Sequence, residues 1–279
     1  MTLLRIAAFS DGNIGGNPAG VSIGATLPAP ETMQQTAADV GYSETAFAAP
    51  EGDAWRVRYF SPQTEVPFCG HATIALGAAL ALREGNRVFK LRLNAASITV
   101  EGRRDGDILS AALQSPPTRS APAEPSHSKA ALDLFGLAPA DLDPSIPPGA
   151  IHAGADHLVL ALKSRSALAG MTYDLDRGRD FMRSAGFVTI ALVHARGNQA
   201  FDVRNAFASG GVLEDPATGA AAAGFAGYLR DLGWPHGGSI DIVQGEDMGM
   251  RSLIRADIPV QRGSSIRVSG TARMMNQKG

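Results

Sequence analysis

Pro67-Phe68-Cys69-Gly70-His71-Ala72-Thr73-Ile74-Ala75-Leu76-Gly77-Ala78-Ala79-Leu80-Ala81-Leu82 passes from a tight turn into a helical segment with no polar face. A second stretch does the same: Glu214-Asp215-Pro216-Ala217-Thr218-Gly219-Ala220-Ala221-Ala222-Ala223-Gly224-Phe225-Ala226-Gly227. A helix that is apolar all round must be enclosed on every side. Its small residues allow the surrounding backbone to come close. The segments around both helices read mostly as short strands: 89–93, 97–101 and 108–113, then 239–243, 253–258 and 266–269. The expected fold is therefore α+β, with two pseudo-symmetric lobes, each a curved mixed or antiparallel sheet wrapped around a central apolar helix. The alternative, a doubly wound α/β sheet, would want amphipathic outer helices.

The order of elements repeats. A helical segment (30–40) stops at Gly41, a strand follows at 45–48, and Trp55-Arg56-Val57-Arg58-Tyr59-Phe60 alternates with period two before the first turn. In the second half a helical segment (174–185) stops at Gly186, a strand follows at 188–193, and Phe201-Asp202-Val203-Arg204 precedes the second turn. Each half carries a Val-Arg pair before its turn and an Ala-Thr within it, so duplication of one unit is the simplest account. Four prolines within 115–126 oppose helix and central strand alike. The expected organisation is an N-terminal lobe 1–117, a linker 118–126 and a C-terminal lobe 127–279, with the last strand packing on either lobe.

Composition narrows the function. With 25 Lys+Arg against 27 Asp+Glu and a formal net charge of −2, nothing selects for nucleic acid. A chain that is 44% hydrophobic and 19% charged is globular rather than disordered. No apolar run approaches the roughly 20 residues of a membrane span, and the first ten residues read as a strand rather than a signal peptide. Cys69 is the single cysteine, which rules out an intrachain disulfide and a cysteine-based metal cluster. A reducing cytoplasm is the expected compartment, and the expected partner is a small molecule.

Each turn opens a helix, and a helix start presents unpaired N–H groups and the positive end of the dipole. It is a ready site for a carboxylate or a developing oxyanion. In the first turn Gly70 and His71 occupy that position. In the second, Thr218 and Gly219 do, with Asp215 just upstream. Glu44, in Gly41-Tyr42-Ser43-Glu44-Thr45, lies where a helix hands over to a strand, and the matching Gly186-Phe187-Val188-Thr189 has no acid. Catalytic asymmetry between the halves is one reason for such an acid; a solvated glutamate at a strand start is the other.

Five blocks, in order, carry a family resemblance: Gly16-Asn17-Pro18-Ala19-Gly20-Val21, Ser43-Glu44-Thr45-Ala46-Phe47, Arg58-Tyr59-Phe60-Ser61-Pro62, Glu65 to Thr73, and Glu214 to Gly219. Together they resemble the phenazine-biosynthesis PhzF-like isomerase family, which has the diaminopimelate-epimerase-like fold. The resemblance implies a cofactor-independent isomerase, with no metal, that moves a proton between carbons of a small carboxylate-bearing substrate. It implies Glu44 as the acid/base, with His71 and Asp215 as the other catalytic residues. It also implies Ser43, Gly70, Thr218, Gly219 and Ala220 as substrate-binding positions, and a homodimer. A glutamate enclosed between apolar lobes would be desolvated and able both to take and to return a proton. The resemblance departs at Ala220, where phenazine-pathway members carry serine, so the carboxylate site has one hydroxyl donor fewer.

Other readings remain beside it. An epimerase of a small acid, or a non-catalytic small-ligand binding protein on the same scaffold, would use the same cleft. A two-cysteine racemase is excluded because the second turn offers no thiol. Cys69 itself reads as a small buried hydrophobe. His152 and His157 lack a third metal ligand at convincing spacing.

Overall fold

The computed structural model describes residues 2–275. The chain divides into two compact units, one made of residues up to 114 together with those from 269, the other of residues 115–268.

In the first unit the elements run β1 (Thr2–Ala8), β2 (Asn17–Ile23), α1 (Pro30–Val40), β3 (Thr45–Glu51), β4 (Ala54–Phe60), β5 (Glu65–Val66), α2 (Gly70–Glu84), β6 (Arg87–Arg92), β7 (Ser97–Asp105) and β8 (Ile108–Gln114). β1 pairs antiparallel with β2, and β2 runs parallel to β3. β3–β4 and β4–β5 are antiparallel, β4–β6 is parallel, and β6–β7 and β7–β8 are antiparallel. This mixed sheet surrounds α2, which packs against β1, β2, β3, β6, β7 and β8. Every residue of α2 from His71 to Ala81 is buried. Burial of side chains such as Ile74, Leu76 and Leu80 stabilises the unit by about 1.5–3 kcal/mol each.

Close approach explains the small residues. A Cβ at Gly102 on β7 would meet the Gly77 carbonyl oxygen of α2 at 2.1 Å, and a Cβ at Gly77 would meet Val100 at 2.6 Å. Helix and strand touch backbone to backbone there. α1 lays Met33 and Ala37 on Phe47 and Phe60 at the outer face of the sheet. It stops at Gly41, whose φ of 70° is the left-handed conformation glycine adopts without strain.

The second unit contains β9 (Arg119–Pro122), α3 (Pro125–Phe135), β10 (Gly149–His152), β11 (Asp156–Ala161), α4 (Arg165–Ala169), α5 (Leu175–Ala185), β12 (Thr189–Ala195), β13 (Ala200–Ala206), β14 (Glu214–Asp215), α6 (Gly219–Leu232), β15 (Ser239–Gln244) and β16 (Ser252–Asp257). β17 (Arg267–Met274) begins in this unit and belongs to the first from Ser269 onward, where it pairs antiparallel with β1. β10 to β16 repeat the pairing pattern of β1 to β7: antiparallel β10–β11, parallel β11–β12, antiparallel β12–β13 and β13–β14, parallel β13–β15, antiparallel β15–β16. α6 takes the place of α2 and packs against β9, β10, β11, β15 and β16. The duplication read from the sequence is thus a duplication of strand order, direction and central helix, and the fold is the expected α+β class.

Registers refine the alignment of the halves. Phe60 pairs with Glu65 across β4–β5, and Ala206 pairs with Glu214 across β13–β14. The equivalent residues are therefore Glu65 and Glu214, Pro67 and Pro216, Cys69 and Thr218, Gly70 and Gly219, and His71 and Ala220. The Ala-Thr match of the sequence reading is a coincidence. Thr218 is the N-cap of α6, whereas Thr73 sits inside α2. The second unit has three more residues between its arginine and its glutamate than the first, and a short 3-10 turn at Ala208–Gly210 lies in that longer loop.

The segment 118–126, expected as a linker, is ordered structure. It contains β9, paired antiparallel with β10, and the start of α3. Pro122 closes the strand, and Pro125 sits in the first turn of α3, where a missing N–H costs nothing. The chain before it is tied to 263–266, with Ser115 N–H donating to the Ile266 carbonyl at 2.8 Å and Thr118 N–H to the Gly263 carbonyl at 3.1 Å. Among the described residues no helix is long and apolar enough to cross a membrane.

Candidate active site

In the first unit, β5 and the turn after it deliver Cys69 as the N-cap of α2 and His71 into its first turn. The chain is held there from behind. Thr73 Oγ1 donates to the Cys69 carbonyl at 2.7 Å, so the Tyr59 hydroxyl, 2.7 Å from Thr73 Oγ1, must be the donor of that pair. Burial pushes the Tyr59 phenol up, which keeps this proton in place.

Ser43 and Glu44 precede β3 and come to the same point. Glu44 Oε2 lies 3.4 Å from His71 Nε2, with the two side chains only 17% and 7% exposed. Ser43 Oγ is also 3.4 Å from Nε2. The other imidazole nitrogen, Nδ1, lies 3.3 Å from Cys69 Sγ. The two imidazole nitrogens thus face different partners, the thiol on one edge and the carboxylate and serine hydroxyl on the other. Cys69, read from the sequence as a small buried hydrophobe, instead touches the histidine. Gly70 is the first helical residue of α2.

The second unit builds a different arrangement at the equivalent place. Thr218 Oγ1 donates to Asp215 Oδ2 and accepts from Asn205 Nδ2 at 2.5 Å and from Gln244 Nε2 at 3.1 Å. Gln244 also donates to the Asp215 carbonyl at 2.7 Å and accepts from the Thr218 N–H at 3.2 Å. One donor and two acceptor positions exhaust a hydroxyl. Thr218, expected to bind substrate, therefore has no hydroxyl capacity left for a ligand; it holds Asp215 and the start of α6. Asn205 and Gln244 are fully buried and were not visible in the sequence reading. The repeat Glu-x-Pro-x-x-Gly at 65–70 and 214–219 would have set the register that aligns Asn205 with Tyr59 as the residue bracing each turn.

Neither central helix is capped by its own N-cap side chain. Two other helices are capped this way, with Ser164 accepting from Ala167 N–H and Asp174 from Arg177 N–H, whereas α1 and α3 are not. Neither first turn of α2 or α6 contains an acidic residue. The leading amides of these two helices, those of Gly219 and Ala220 among them, are the unpaired donors an anion would use. Ala220 is partly exposed and adds no side-chain donor.

An ion pair is kept in both units behind the turn. Arg58 holds Glu65 at 2.6 Å in the first, and Arg204 holds Glu214 at 2.6 Å in the second. The Arg58 hydrogen bonds hold the Glu65 carboxyl below its ordinary range. The pairs clamp β5 to β4 and β14 to β13. The differences between the units lie one step further on, where Glu44 is matched by Val188, His71 by Ala220, and Cys69 by Thr218.

Comparison with known proteins agrees with this architecture. The model of the phenazine biosynthesis-like protein family matches residues 6–278. The trans-2,3-dihydro-3-hydroxyanthranilate isomerase of Pseudomonas aeruginosa is 32% identical over 276 residues, 95% of this chain and 94% of its own. Among solved structures, a PhzF-family phenazine biosynthesis protein of Bacillus anthracis superposes with a TM-score of 0.84 at 21% identity, covering 99% of this chain and 98% of its own. A probable proline racemase of Agrobacterium radiobacter shares the fold at 12% identity, with a TM-score of 0.66 over 98% of this chain and 91% of its own.

Proposed function

The chain belongs to the phenazine biosynthesis-like family and is an isomerase, and from that premise we propose that it moves a proton between carbons of a small carboxylate-bearing substrate, with Glu44 as the acid/base. The observation that carries this reading is the Glu44–His71 pair, 3.4 Å apart, mostly covered, and present in only one of the two duplicated units.

The proposed chemistry needs no redox step. The Glu44 carboxylate takes a proton from one carbon of a conjugated substrate, and the electron pair left behind spreads through the adjacent π-system. The same carboxyl group then returns the proton at another carbon, so that a double bond has moved and nothing has been added or lost. His71, with Nε2 3.4 Å from the Glu44 carboxylate, is the proposed support for that carboxylate during transfer. The α6 amides of Gly219 and Ala220 are the proposed donors to the substrate carboxylate. Asp215, fastened by Thr218 and Gln244, is the proposed acceptor for a substrate hydroxyl or amino group.

The Pseudomonas relative acts on a hydroxylated dihydroanthranilate, as its name states. In this chain the carboxylate site has alanine at 220, so the preferred substrate is expected to be a different small acid. The test is proton exchange at carbon in deuterated buffer, across a panel of cyclic and amino-acid-like carboxylates that includes the relative's substrate. Exchange that disappears in Glu44→Gln supports the proposal. Tight binding without exchange across the panel points to a binding protein, and racemised rather than bond-shifted product points to an epimerase.

A further inference from the structure

The cluster of Glu44, Cys69 and His71 has a property that proton transfer does not use. It brings a carboxylate, a thiol and an imidazole, three different metal-ligating groups, to one point. One ligand atom of each lies within 4.8 Å of the others. His71 Nε2 is 3.4 Å from Glu44 Oε2 and 3.9 Å from Cys69 Sγ. In a tetrahedral zinc site with ordinary Zn–S, Zn–N and Zn–O lengths, neighbouring ligand atoms stand roughly 3.3–3.6 Å apart. Two of the three edges are thus within a few tenths of an ångström of the required shape, and the thiol–carboxylate edge, at most 4.8 Å, must close by up to about 1.3 Å.

We propose that Glu44, Cys69 and His71 bind a single Zn²⁺ ion and that its binding reversibly silences the acid/base. The inhibitory half of the proposal rests on the isomerase reading above; the binding half does not. Three features favour the ion. Cys69 is the N-cap of α2, so the helix dipole favours its thiolate. Its backbone is already anchored through Thr73 and Tyr59, so little ordering remains to be done. A thiolate, a carboxylate and a neutral imidazole cancel the two charges of the ion, which suits a mostly covered site. On binding, the thiol proton leaves to solvent, and the imidazole ligates through its Nε2 lone pair with its one proton on Nδ1. One proton is released for each ion bound, so affinity rises with pH. Glu44 is then held by the ion and its basicity is lowered, so it no longer serves as the base toward carbon, and the fourth metal position is left for water or a substrate carboxylate.

The experiment uses Co²⁺ as a spectroscopic probe for Zn²⁺ on the full chain, alongside the exchange assay. The expected result is one equivalent of Co²⁺ with tetrahedral d–d bands and a thiolate-to-cobalt charge-transfer band, displaced by Zn²⁺. Cys69→Ala and Cys69→Ser are both expected to lose the charge-transfer band, and Glu44→Gln to bind at least about tenfold more weakly. Far-UV circular dichroism checks that each variant is folded, and the two cysteine variants back each other up. Zn²⁺ is expected to inhibit exchange, reversibly on addition of a chelator. Absence of a thiolate band at stoichiometric Co²⁺, or Zn²⁺ inhibition undiminished in both cysteine variants, overturns the proposal. Cobalt binding as described with no exchange on any substrate leaves the metal site standing and removes the isomerase reading. Exchange without cobalt binding does the reverse.

Discussion

Glu44 and His71 stand 3.4 Å apart at the mouth of α2, and the residues in their places in the second unit, Val188 and Ala220, can neither ionise nor hydrogen-bond through their side chains. The scaffold is duplicated and this pair is not. If the pair is the proton-transfer device, Glu44→Gln keeps size and hydrogen bonding but removes the base. Exchange is expected to fall by about 10³-fold or more, with substrate binding little changed. His71→Asn is expected to cost less, roughly 10–10²-fold, because it supports the carboxylate and does not itself carry the proton. Exchange rates by NMR and substrate affinity by calorimetry separate the two effects. A Glu44→Gln enzyme with near-native exchange would remove Glu44 from the mechanism.

The two matching ion pairs are expected to differ in what their loss costs. Arg204 and Glu214 are 12% and 5% exposed, and Arg204 also donates to the carbonyls of Ala169 at 2.8 Å and Met171 at 3.1 Å. Arg58 and Glu65 are 19% and 26% exposed. Arg204→Met strands a buried carboxylate and two carbonyls, so a loss of about 3–5 kcal/mol is expected. Arg58→Met is expected to cost about 1 kcal/mol, since water screens that pair better. Urea denaturation of the two variants, side by side, checks the ordering.

The two apolar helices and the strands around them were legible because enclosure narrows the choice of residue: over 71–81 and 219–229 neither helix holds an Asp, Glu, Lys or Arg. α1 was legible to the residue, since Pro30 and Gly41 mark its ends chemically. The α3 start and β9 were hidden by the same prolines that suggested a linker, because proline is also tolerated at a strand end and in a first helical turn. Glu44, His71 and Asp215 were singled out by the two turns and by the asymmetry of the halves, and only the family resemblance gave them roles. Gln244 and Asn205 left no trace in local sequence. They act from strands 26 and 13 residues away from Thr218, and only the paired register of β13, β14 and β15 brings them to the turn.

That register makes a second test of the site. Thr218 satisfies Asp215, Asn205 and Gln244 at once, so Thr218→Val, which keeps the shape, leaves three buried groups short of a partner. A stability loss of about 2–4 kcal/mol is expected, with activity falling as Asp215 loosens. Gln244→Leu leaves the hydroxyl and is expected to be milder, about 1–3 kcal/mol. Thermal melts should rank them in that order. A Thr218→Val protein as stable as the parent would mean that the hydroxyl is free for substrate after all.

The backbone contact inside the first unit predicts a sharp contrast between two glycines. At Gly102 a Cβ would sit 2.1 Å from the Gly77 carbonyl oxygen, and neither helix nor strand has a side chain there that can move aside. Gly102→Ala is expected to cost more than about 3 kcal/mol or to prevent folding. At Gly197 a Cβ meets nothing within 4 Å, and its φ is not positive. Gly197→Ala is therefore expected to be neutral or to stabilise by up to about 1 kcal/mol through the unfolded chain. Soluble yield and melting temperature of the two variants decide the matter.

Acid stability is expected to be governed in part by His157 on β11. Its Nδ1 is 2.7 Å from Thr189 Oγ1, its Nε2 is buried without a partner, and desolvation pulls the imidazole down to about 4, against a small upward pull from Asp156. The equivalent position in the first unit is Gly20, beside Thr45, where no side chain has to be kept neutral. In the unfolded chain His157 titrates near its ordinary value of 6.5. Between about pH 4 and 6.5 the unfolded state therefore binds more protons than the native one, and stability must rise with pH across that window. The contribution is complete above 6.5 and is lost as pH falls toward 4, amounting to roughly 3 kcal/mol. Replacing the imidazole with a group that cannot titrate, as in His157→Gln, should flatten this slope even if it lowers stability at neutral pH. Urea midpoints of both proteins at several pH values from about 4.5 to 7.5 measure the two slopes. Equal slopes would show that His157 becomes protonated in the native state at its ordinary pH, and hence that β11 opens to water far more readily than its burial implies.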